Sequence, residues 1–310
     1  MNEAPSLCIL IPCYNEGPSI SRVVADYKTI FPEADILVVD NASTDGTGRI
    51  AAEAGAQVFH EPRKGKARAI VTALEIIETD IVIMVDGDGS YPAEGARILF
   101  SKYREQPADL ITGIRTPSDQ NHQVFRPMHQ VGTKFFARGT YLVFGYCPGD
   151  VFSGLRLFSR RFYKNVPILS SGFELEMELT VQAIDKGFSI DEVKIPFQER
   201  IEGTSSKLRT VRDGYKILRS LILLFRDYKP LYFFGTIAIF FFMLGLCAGF
   251  PPVYEYYQTR MVGRFPLAIL AAALINISLF TFLTGLVSET NLRYHREAFQ
   301  IRVRNFSNRP

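Results

Sequence analysis

Fully apolar runs alternate with stretches that repeat apolar residues every three or four positions over the first part of the chain. Runs of the first kind predict strands, and stretches of the second kind predict helices. The predicted strands span residues 7–11, 35–39, 56–59, 80–85 and 109–113. The predicted helices span residues 18–30, 45–54, 66–78 and 92–105. Because the strands are apolar throughout and are joined through helices, we expect an α/β fold whose mostly parallel sheet is covered on both faces.

The last third of the chain contains two long segments without a charged residue, at 231–250 and 266–287. At about 1.5 Å per residue, a helix of either length reaches roughly 30 Å, the hydrocarbon thickness of a bilayer. These segments predict two transmembrane helices. Upstream of them, residues 207–228 repeat apolar side chains at helical intervals among basic ones. That pattern predicts an amphipathic helix in the headgroup layer, with an ordinary surface helix as the alternative.

Charge is divided unevenly along the chain, because the formal net charge of +3 combines −6 for residues 1–199 with +9 for residues 200–310. Basic residues flank the outer ends of the two apolar segments, whereas the connection between the segments contains only Arg260 and Arg264 as basic residues. The positive-inside rule therefore predicts a protein of the cell (inner) membrane with both termini in the cytosol. The predicted organisation is a cytosolic domain over 1–206, an interfacial helix over 207–229, two transmembrane helices within 230–288 and a basic cytosolic tail over 289–310.

Small residues recur within the apolar segments, at Gly235, Gly245, Gly249 and Ala271–Ala273. Small side chains let helix backbones approach closely in a membrane. These positions predict close helix packing, either between copies of the chain in a homo-oligomer or between the two segments of one chain.

Composition and missing motifs exclude several classes of protein. With 47% hydrophobic residues and a mean hydropathy of +0.07, the chain is too apolar to be disordered. Its four cysteines form no CxxC pair, so a zinc knot is not expected. We expect the cysteines to be buried free thiols in a reducing compartment. The chain has no GxxxxGK[ST] motif and no GxGxxG after the first predicted strand, which argues against an NTPase or a dinucleotide oxidoreductase. Membrane insertion explains the basic C-terminal third without a nucleic-acid partner.

Polar residues follow the predicted strands, at the position where parallel sheets bind ligands. Tyr14 and Glu16 follow the first strand, Asp40 follows the second, and Asp86 and Asp88 follow the fourth. Tyr14 is suited to lie against a base, with Glu16 and Asp40 accepting hydrogen bonds from base or ribose. The two aspartates on one glycine turn are suited to hold Mg²⁺ or Mn²⁺ against a diphosphate. Together these residues predict a nucleotide-sugar site.

The ordered motifs PCYNE, VVDNASTDGT, RKGKARAI, VDGDGSYP and GIR resemble glycosyltransferase family 2, whose members have the GT-A fold. The later segments SGLRLFSRR, GFELEMEL and ERIEGTSSKLR are similar to the polyprenyl-phosphate branch of that family, which includes dolichyl-phosphate mannose synthases and bacterial undecaprenyl-phosphate glycosyltransferases. The resemblance extends from Ser6 to the predicted interfacial helix, and two transmembrane segments are most similar to the bacterial-type members. It implies a Rossmann-like GT-A domain, a nucleotide-sugar donor, a polyprenyl-phosphate acceptor and a bound Mg²⁺ or Mn²⁺.

The resemblance also implies roles for individual residues. The implied donor-binding residues are Pro12, Tyr14, Glu16, Asp40, Asp45, Lys66, Asp86 and Arg115, and the implied metal ligands are Asp86 and Asp88. The residues assigned to catalysis or to the phosphates are Asp88, Arg126, Arg200 and Lys207. One position departs from the pattern, because Ser90 stands where some mannose synthases have glutamine. This departure weakens the transfer of their metal geometry and of their preference for GDP-mannose.

A polyprenyl phosphate needs no base to become a nucleophile, because the second pKa of a phosphate monoester is about 6. The protein must then align that oxygen with the anomeric carbon and stabilise the leaving nucleoside diphosphate. Asp150 is the candidate for an orienting or proton-accepting group, with a helix-terminating turn as its alternative role. Of Glu174, Glu176 and Glu178, at most two can face the site, and the others are expected to be solvated.

The sequence thus predicts a membrane-anchored, inverting glycosyltransferase that moves one sugar from a nucleotide sugar to polyprenyl phosphate. The two-span architecture favours UDP-glucose as the donor, with GDP-mannose as the alternative. A polysaccharide synthase is disfavoured, because the chain has no Trp and therefore no QxxRW-type motif. An inactive, membrane-anchored nucleotide-binding scaffold is the remaining alternative.

Overall fold

The structure, a computed structural model, describes residues 5–117, 137–141, 144–168, 175–200, 219 and 222–307. The strands of its sheet are β1 (Leu7–Cys13), β2 (Asp35–Asp40), β3 (Gln57–His60), β4 (Ile81–Met84), β5 (Leu110–Pro117), β6 (Arg156–Ser159) and β7 (Ile190–Phe197). The helices are α1 (Gly17–Ile30), α2 (Thr47–Glu53), α3 (Lys66–Ile76), α4 (Ala93–Glu105), α5 (Arg160–Tyr163), α6 (Leu175–Asp185), α7 (Pro230–Thr259) and α8 (Phe265–Ser307).

The seven strands lie in the order β3-β2-β1-β4-β6-β5-β7. Strands β1 to β4 pair in parallel, as do β5 and β7, and β6 runs antiparallel to both of its neighbours. The predicted α/β fold with a mostly parallel sheet is therefore confirmed, and all five predicted strands are present. Strands β6 and β7 lie outside the prediction. The first has only four residues, and the second carries the charged Asp191, Glu192 and Lys194 instead of an apolar run.

The core explains why the strands are apolar throughout. Every residue of β1 and of β4 is buried, because helices cover both faces of the sheet. Helix α1 packs on this sheet through Ile20, Val24 and Tyr27. The loops after β1, β2 and β4 consequently leave the core at one edge, which is the edge where α/β sheets bind ligands.

Two units make up the chain, one of Met1–Tyr215 with Val303–Pro310 and one of Lys216–Arg302. Helices α7 and α8 are each long and apolar enough to cross a membrane, with a mean hydropathy of 2.2 over the most apolar window. Helix α8 is continuous to Ser307, so the first part of the predicted basic tail is helical. Residues 222–228 of the predicted amphipathic helix are helical, and apart from Arg219 the rest of it lies outside the described residues.

Small residues bring α7 and α8 together within one chain. A Cβ atom on Gly245 would lie 2.8 Å from Ile275 Cγ1, and one on Gly249 would lie 3.4 Å from Ala271 Cβ. Packing within the chain is thus confirmed for these glycines. Gly235 has nothing within 4 Å of such an added atom, and the homo-oligomer stays a prediction.

The cysteine prediction is half right. Cys8 and Cys13 are free and buried in β1, whereas Cys147 and Cys247 are free and exposed. Burial raises the pKa of Cys8 to about 12, so this thiol stays protonated at neutral pH.

Candidate active site

The loops after three parallel strands form one wall of the candidate site. Residues 14–16 follow β1, residues 41–46 follow β2, and Asp86 and Asp88 follow β4. Strand β1 pairs with both β2 and β4, so their carboxyl ends are neighbours. The predicted assembly of polar residues at one sheet edge therefore has the topology that it needs.

Tyr14 forms the outer part of this wall together with a residue that the sequence prediction did not single out. The Lys64 Nζ atom donates a hydrogen bond of 3.0 Å to the Tyr14 hydroxyl and lies 5.0 Å from the centre of the Tyr14 ring. Lys64 belongs to the RKGK sequence after β3 and was overlooked because the resemblance assigned a role to Lys66 alone. The arrangement offers a flat aromatic surface and a cation side by side.

Hydrogen bonds within the wall engage Asp40 and Asp45. Asp40 Oδ1 accepts from the Ser43 amide at 3.0 Å. Asp45 Oδ2 accepts from the Gly17 amide at 2.9 Å, and its Oδ1 accepts from the Thr47 hydroxyl at 2.5 Å. Partial burial acts to raise the pKa of Asp45, but these hydrogen bonds outweigh it and hold the pKa below its usual value. Asp45 therefore joins the loops after β1 and β2, and both of its oxygens are engaged.

Pro12 and Glu16 are buried parts of the same wall. Pro12 pairs with Val39 within the sheet. The Glu16 carbonyl accepts from Ser19 and Ile20 at the start of α1, and its side chain is buried. Their contact with a donor stays a prediction.

The turn after β4 presents two carboxylates, each of which already holds a protein cation. Lys66 Nζ lies 2.6 Å from Asp86 Oδ1, and Arg200 Nε lies 3.0 Å from Asp88 Oδ2. The Ser90 hydroxyl donates to Asp88 Oδ1 at 2.5 Å and the Ser90 amide donates to the same atom at 2.9 Å. Ser90, the position that departs from some mannose synthases, thus fixes the second aspartate from within the turn.

Lys66 also contacts Glu176 on α6, with Nζ 2.6 Å from Oε1. Burial acts to lower the pKa of Lys66, but the charges of Asp86 and Glu176 outweigh it and hold the pKa above its usual value. For Asp86, burial acts to raise the pKa, and the charges of Lys66 and Arg200 hold it below the usual value. Lys66 and Asp86 therefore both remain charged at neutral pH.

The glutamates of GFELEMEL divide in part as expected. Glu176 faces Lys66, and Glu174 lies outside the described residues. The prediction that the remaining glutamate is solvated is wrong for Glu178, which is buried and accepts a hydrogen bond of 2.8 Å from Gln182 one turn later. The sequence spacing gave no sign of this, because α6 is packed on nearly all sides.

Arg115, at the end of β5, forms a two-pronged ion pair with Asp150. Its Nε lies 2.6 Å from Asp150 Oδ2 and its Nη2 lies 2.9 Å from Oδ1. Burial acts to lower the pKa of Arg115, but the hydrogen bonds to Asp150 and the charge of that carboxylate outweigh it and hold the pKa above its usual value. Both partners are nearly buried, so Asp150 holds the Arg115 guanidinium in place. Its role in the reaction, as an orienting or a proton-accepting group, stays a prediction.

The backbone around Asp150 is held by two further residues that the prediction missed. The Gly149 amide donates to both Glu192 carboxylate oxygens at 3.0 Å, and burial raises the pKa of Glu192. The Gly154 amide donates to the buried Tyr91 hydroxyl at 2.7 Å. Tyr91 follows the aspartate turn in VDGDGSYP, and its place in that motif was the available signal. Burial raises the pKa of Tyr91 to about 12, so its hydroxyl is neutral.

The two aspartates of the turn fit a divalent cation chemically. Asp88 Oδ2 already faces a positive group, the Arg200 guanidinium, which stands where a cation would be held. No third His, Cys, Asp or Glu joins them in a metal-binding group within the described part of the chain. Mg²⁺ is typically held by one or two carboxylates with water and substrate phosphates completing its coordination. The pair therefore fits an ion that is bound together with a diphosphate.

Arg126 and Lys207, the other two residues assigned to phosphates, lie outside the described residues. The structure brings together Lys66, Asp86, Asp88 and Arg200 on one side and Arg115 with Asp150 on the other. Their roles toward substrates stay predictions.

Comparison with known proteins gives the arrangement a family. Residues 8–166 match glycosyl transferase family 2. The chain is 30% identical over 298 residues to glycosyltransferase AglJ of Haloferax volcanii, covering 96% of this chain and 97% of that protein. It is 27% identical over 217 residues to the dolichyl-phosphate hexose transferase of the same organism, covering 70% and 92%.

A solved structure shares the fold at lower identity. Glucosyl-3-phosphoglycerate synthase of Mycobacterium tuberculosis, in complex with Mn²⁺ and UDP-glucose, superimposes with a TM-score of 0.59 at 19% identity, covering 72% of this chain and 79% of that one. The likeness places the sheet and its covering helices in the GT-A fold. Together with the sequence matches, it shows that this chain is a glycosyltransferase and belongs to glycosyl transferase family 2.

Proposed function

We propose that the chain is a membrane-anchored, inverting glycosyltransferase that transfers one hexose from a UDP-sugar to a polyprenyl phosphate on the cytosolic face of a membrane. UDP-glucose is the donor to test first, and GDP-mannose is the alternative. The observation that carries the proposal is that one chain combines a glycosyl transferase family 2 domain with two helices able to cross a bilayer. The similarity to a dolichyl-phosphate hexose transferase supports a lipid-phosphate acceptor.

The donor end of the site is assigned to the loops after β1, β3 and β4. The Tyr14 ring and the Lys64 ammonium provide a stacking surface and a cation for the nucleoside. Asp86 and Asp88 would hold Mg²⁺ or Mn²⁺, and the ion supplies positive charge that stabilises the leaving diphosphate. Arg115 adds a second positive charge, and its guanidinium is already oriented by Asp150 before a substrate binds.

The acceptor end needs cations more than a base. A phosphate monoester carries close to two negative charges at neutral pH, so its oxygen attacks without losing a proton to the protein. Asp150 is then a poor base, because both of its oxygens already accept hydrogen bonds from Arg115. Arg200 is the described cation assigned to the acceptor phosphate, with Arg126 and Lys207 as the further candidates.

The membrane end is assigned to α7 and α8. Both helices are long and apolar enough to span a bilayer, and little of their most apolar windows is buried inside the protein. Basic residues flank the outer ends of the pair, which supports termini on the cytosolic side. The acceptor lipid and the catalytic domain would then meet at the same membrane surface.

The test uses the purified full-length chain in detergent with undecaprenyl phosphate or dolichyl phosphate. Radiolabelled UDP-glucose and GDP-mannose are each supplied with Mg²⁺ or Mn²⁺, and the label is followed into the lipid fraction. We expect lipid-linked glucose from wild type, and at least a hundredfold less from Asp88→Asn. The matched control is Arg97→Gln, which removes only an exposed pair with Glu94.

Three outcomes would change the proposal. Lipid labelling from GDP-mannose alone would make the donor preference wrong and leave the acceptor standing. Nucleotide-sugar binding without turnover on either lipid would favour the inactive scaffold. Transfer to a water-soluble acceptor alone would refute the lipid acceptor.

A further inference from the structure

Arg156, on β6, is a guanidinium with none of its surface exposed to solvent. A buried charge is costly unless hydrogen bonds satisfy it. Its Nε donates to the Ser153 carbonyl at 3.0 Å, its Nη2 donates to the Val151 carbonyl at 2.6 Å, and its Nη1 donates to the Thr180 hydroxyl at 2.9 Å. The three bonds described thus go to two carbonyl groups and a hydroxyl, all of them neutral.

The two carbonyl partners lie in the loop that supports one side of the site. This loop begins at Asp150, which orients Arg115, and ends at Gly154. A Cβ atom on Gly154 would lie 2.8 Å from Asp86 Cγ, so the backbone at this position is in close contact with the Asp86 side chain. Arg156 therefore fixes the surface against which the Asp86 carboxylate rests.

The third partner lies on the helix that supports the other side. The Thr180 hydroxyl, besides accepting from Arg156, donates to the Glu176 carbonyl at 3.0 Å. Glu176 in turn contacts Lys66, and Lys66 contacts Asp86. The same guanidinium is thus joined to Asp86 from the second direction, through α6.

These contacts form a closed ring of residues that includes Asp86. It passes from Asp86 to Gly154, through the loop to Arg156, across to Thr180 and Glu176 on α6, and back through Lys66. An apolar side chain of similar size would leave buried carbonyl groups without a donor, and a shorter cation would reach fewer of the three acceptors. The planar fork of arginine donates in several directions at once.

We propose that Arg156 is a positioning residue, which sets the place of the Asp86 carboxylate by holding the Asp150–Gly154 loop and helix α6 at a fixed separation. The inference rests on the proposed function only in that Asp86 serves a nucleoside diphosphate with its ion. Arg156 itself touches no substrate. Its effect is transmitted through Gly154 on one side and through Glu176 and Lys66 on the other.

The experiment measures the affinity and stoichiometry of nucleoside diphosphate binding in Mn²⁺ by calorimetry, together with the melting temperature, on the full-length chain. UDP and GDP are both used, and the inference is judged on the nucleotide that wild type binds. The variants are Arg156→Lys, Thr180→Val and Thr180→Ser. The matched control is Thr29→Val, since Thr29 makes the same kind of hydrogen bond to the carbonyl one turn earlier on the exposed side of α1.

Thr180→Val removes the hydroxyl that joins Arg156 to the Glu176 carbonyl. We expect a Kd about fivefold higher, with the stoichiometry unchanged. Thr180→Ser restores wild-type affinity because it keeps the hydroxyl, and Thr29→Val leaves the Kd unaltered. Arg156→Lys, which keeps the charge and loses part of the fork, raises the Kd by about tenfold.

A purely structural role predicts a different pattern, with fewer binding molecules, a lower melting temperature and an unchanged Kd. That pattern in Thr180→Val and Arg156→Lys would overturn the inference. Should Arg156→Lys fail to fold, Thr180→Val decides alone, since it exchanges a single hydroxyl for a methyl group of similar size. If wild type binds neither nucleotide, the proposed function is refuted and the positioning role with it.

Discussion

Replacing Gly154 with alanine tests whether the resting place of Asp86 controls the reaction. The new methyl carbon would lie 2.8 Å from Asp86 Cγ and closer still to Oδ2. Carbon atoms in contact prefer a separation of about 3.5–4.0 Å, so the carboxylate must move by about 1 Å. The carboxylate cannot move that far without weakening its ion pair with Lys66, whose Nζ lies 2.6 Å from Asp86 Oδ1.

A misplacement of about 1 Å in a catalytic group costs on the order of a hundredfold in rate. We therefore expect Gly154→Ala to lower kcat/KM for the sugar donor by about a hundredfold. The fold should remain intact, because the backbone at Gly154 does not have a positive φ. Alanine is tolerated where φ is negative, and it reduces the conformational entropy of the unfolded chain.

The assay is release of nucleoside diphosphate from the donor at several Mn²⁺ concentrations, with the melting temperature recorded on the same samples. The matched control is Gly235→Ala, because an added Cβ at that position meets nothing within 4 Å. If Gly154→Ala kept more than a third of the wild-type kcat/KM, the close packing of Gly154 against Asp86 would not matter for the reaction, and our reasoning would be wrong.

Three further predictions concern the metal, acid stability and the apolar helices. Arg200→Gln should bind Mn²⁺ about fivefold more tightly than wild type without donor, measured by electron paramagnetic resonance, because Arg200 competes for Asp88 Oδ2; weaker binding would contradict the competition. Asp45→Asn should lower the melting temperature by roughly 2–4 °C at pH 7. The folded-state pKa of Asp45 is depressed, so its stabilisation is complete above the ordinary aspartate pKa of about 3.9 and is lost as the pH falls through the folded-state pKa. The difference in melting temperature should therefore narrow at pH 3, and a difference that stays constant with pH would contradict the prediction. Ser278→Ala should lower the free energy of unfolding of the α7–α8 pair by about 0.5–1 kcal/mol, because it removes the 2.8 Å hydrogen bond to the Ala238 carbonyl. The measurement is unfolding of the protein in detergent micelles, and an unchanged free energy would mean that the hydrogen bond is not formed in the micelle.

The pairing of carboxylates with cations is the main electrostatic feature of the site. Asp86, Asp88 and Asp150 each hold a basic side chain at 3.0 Å or less. A diphosphate with its ion would therefore enter a site whose negative charges are already compensated, and the ion would have to displace Arg200 from Asp88 to take that oxygen. That exchange would free Arg200 to contact the acceptor phosphate of the proposed reaction.

The sheet was predictable where burial on both faces leaves its mark on the sequence. Strands β1 and β4 are buried at every position, so each reads as an uninterrupted apolar run. Strand β7 is partly buried along most of its length and carries three charged residues. It therefore lacks the apolar run that would have predicted a strand. The same limitation applies to Glu178, whose burial depends on how α6 is packed rather than on its neighbours in the chain.

The sequence by itself determined the family, the strand ends that carry the polar residues and the two apolar helices, because each of these is written in local order and periodicity. Only the tertiary structure decided which charges meet. Arg115 and Asp150 are 35 residues apart, and Lys66 and Glu176 are 110 apart. Side chains so distant along the chain come together only when the sheet order and the packing of α6 are set, and those depend on contacts throughout the domain. The physical reason is that an ion pair is defined by distance in space, which no local pattern of residues encodes.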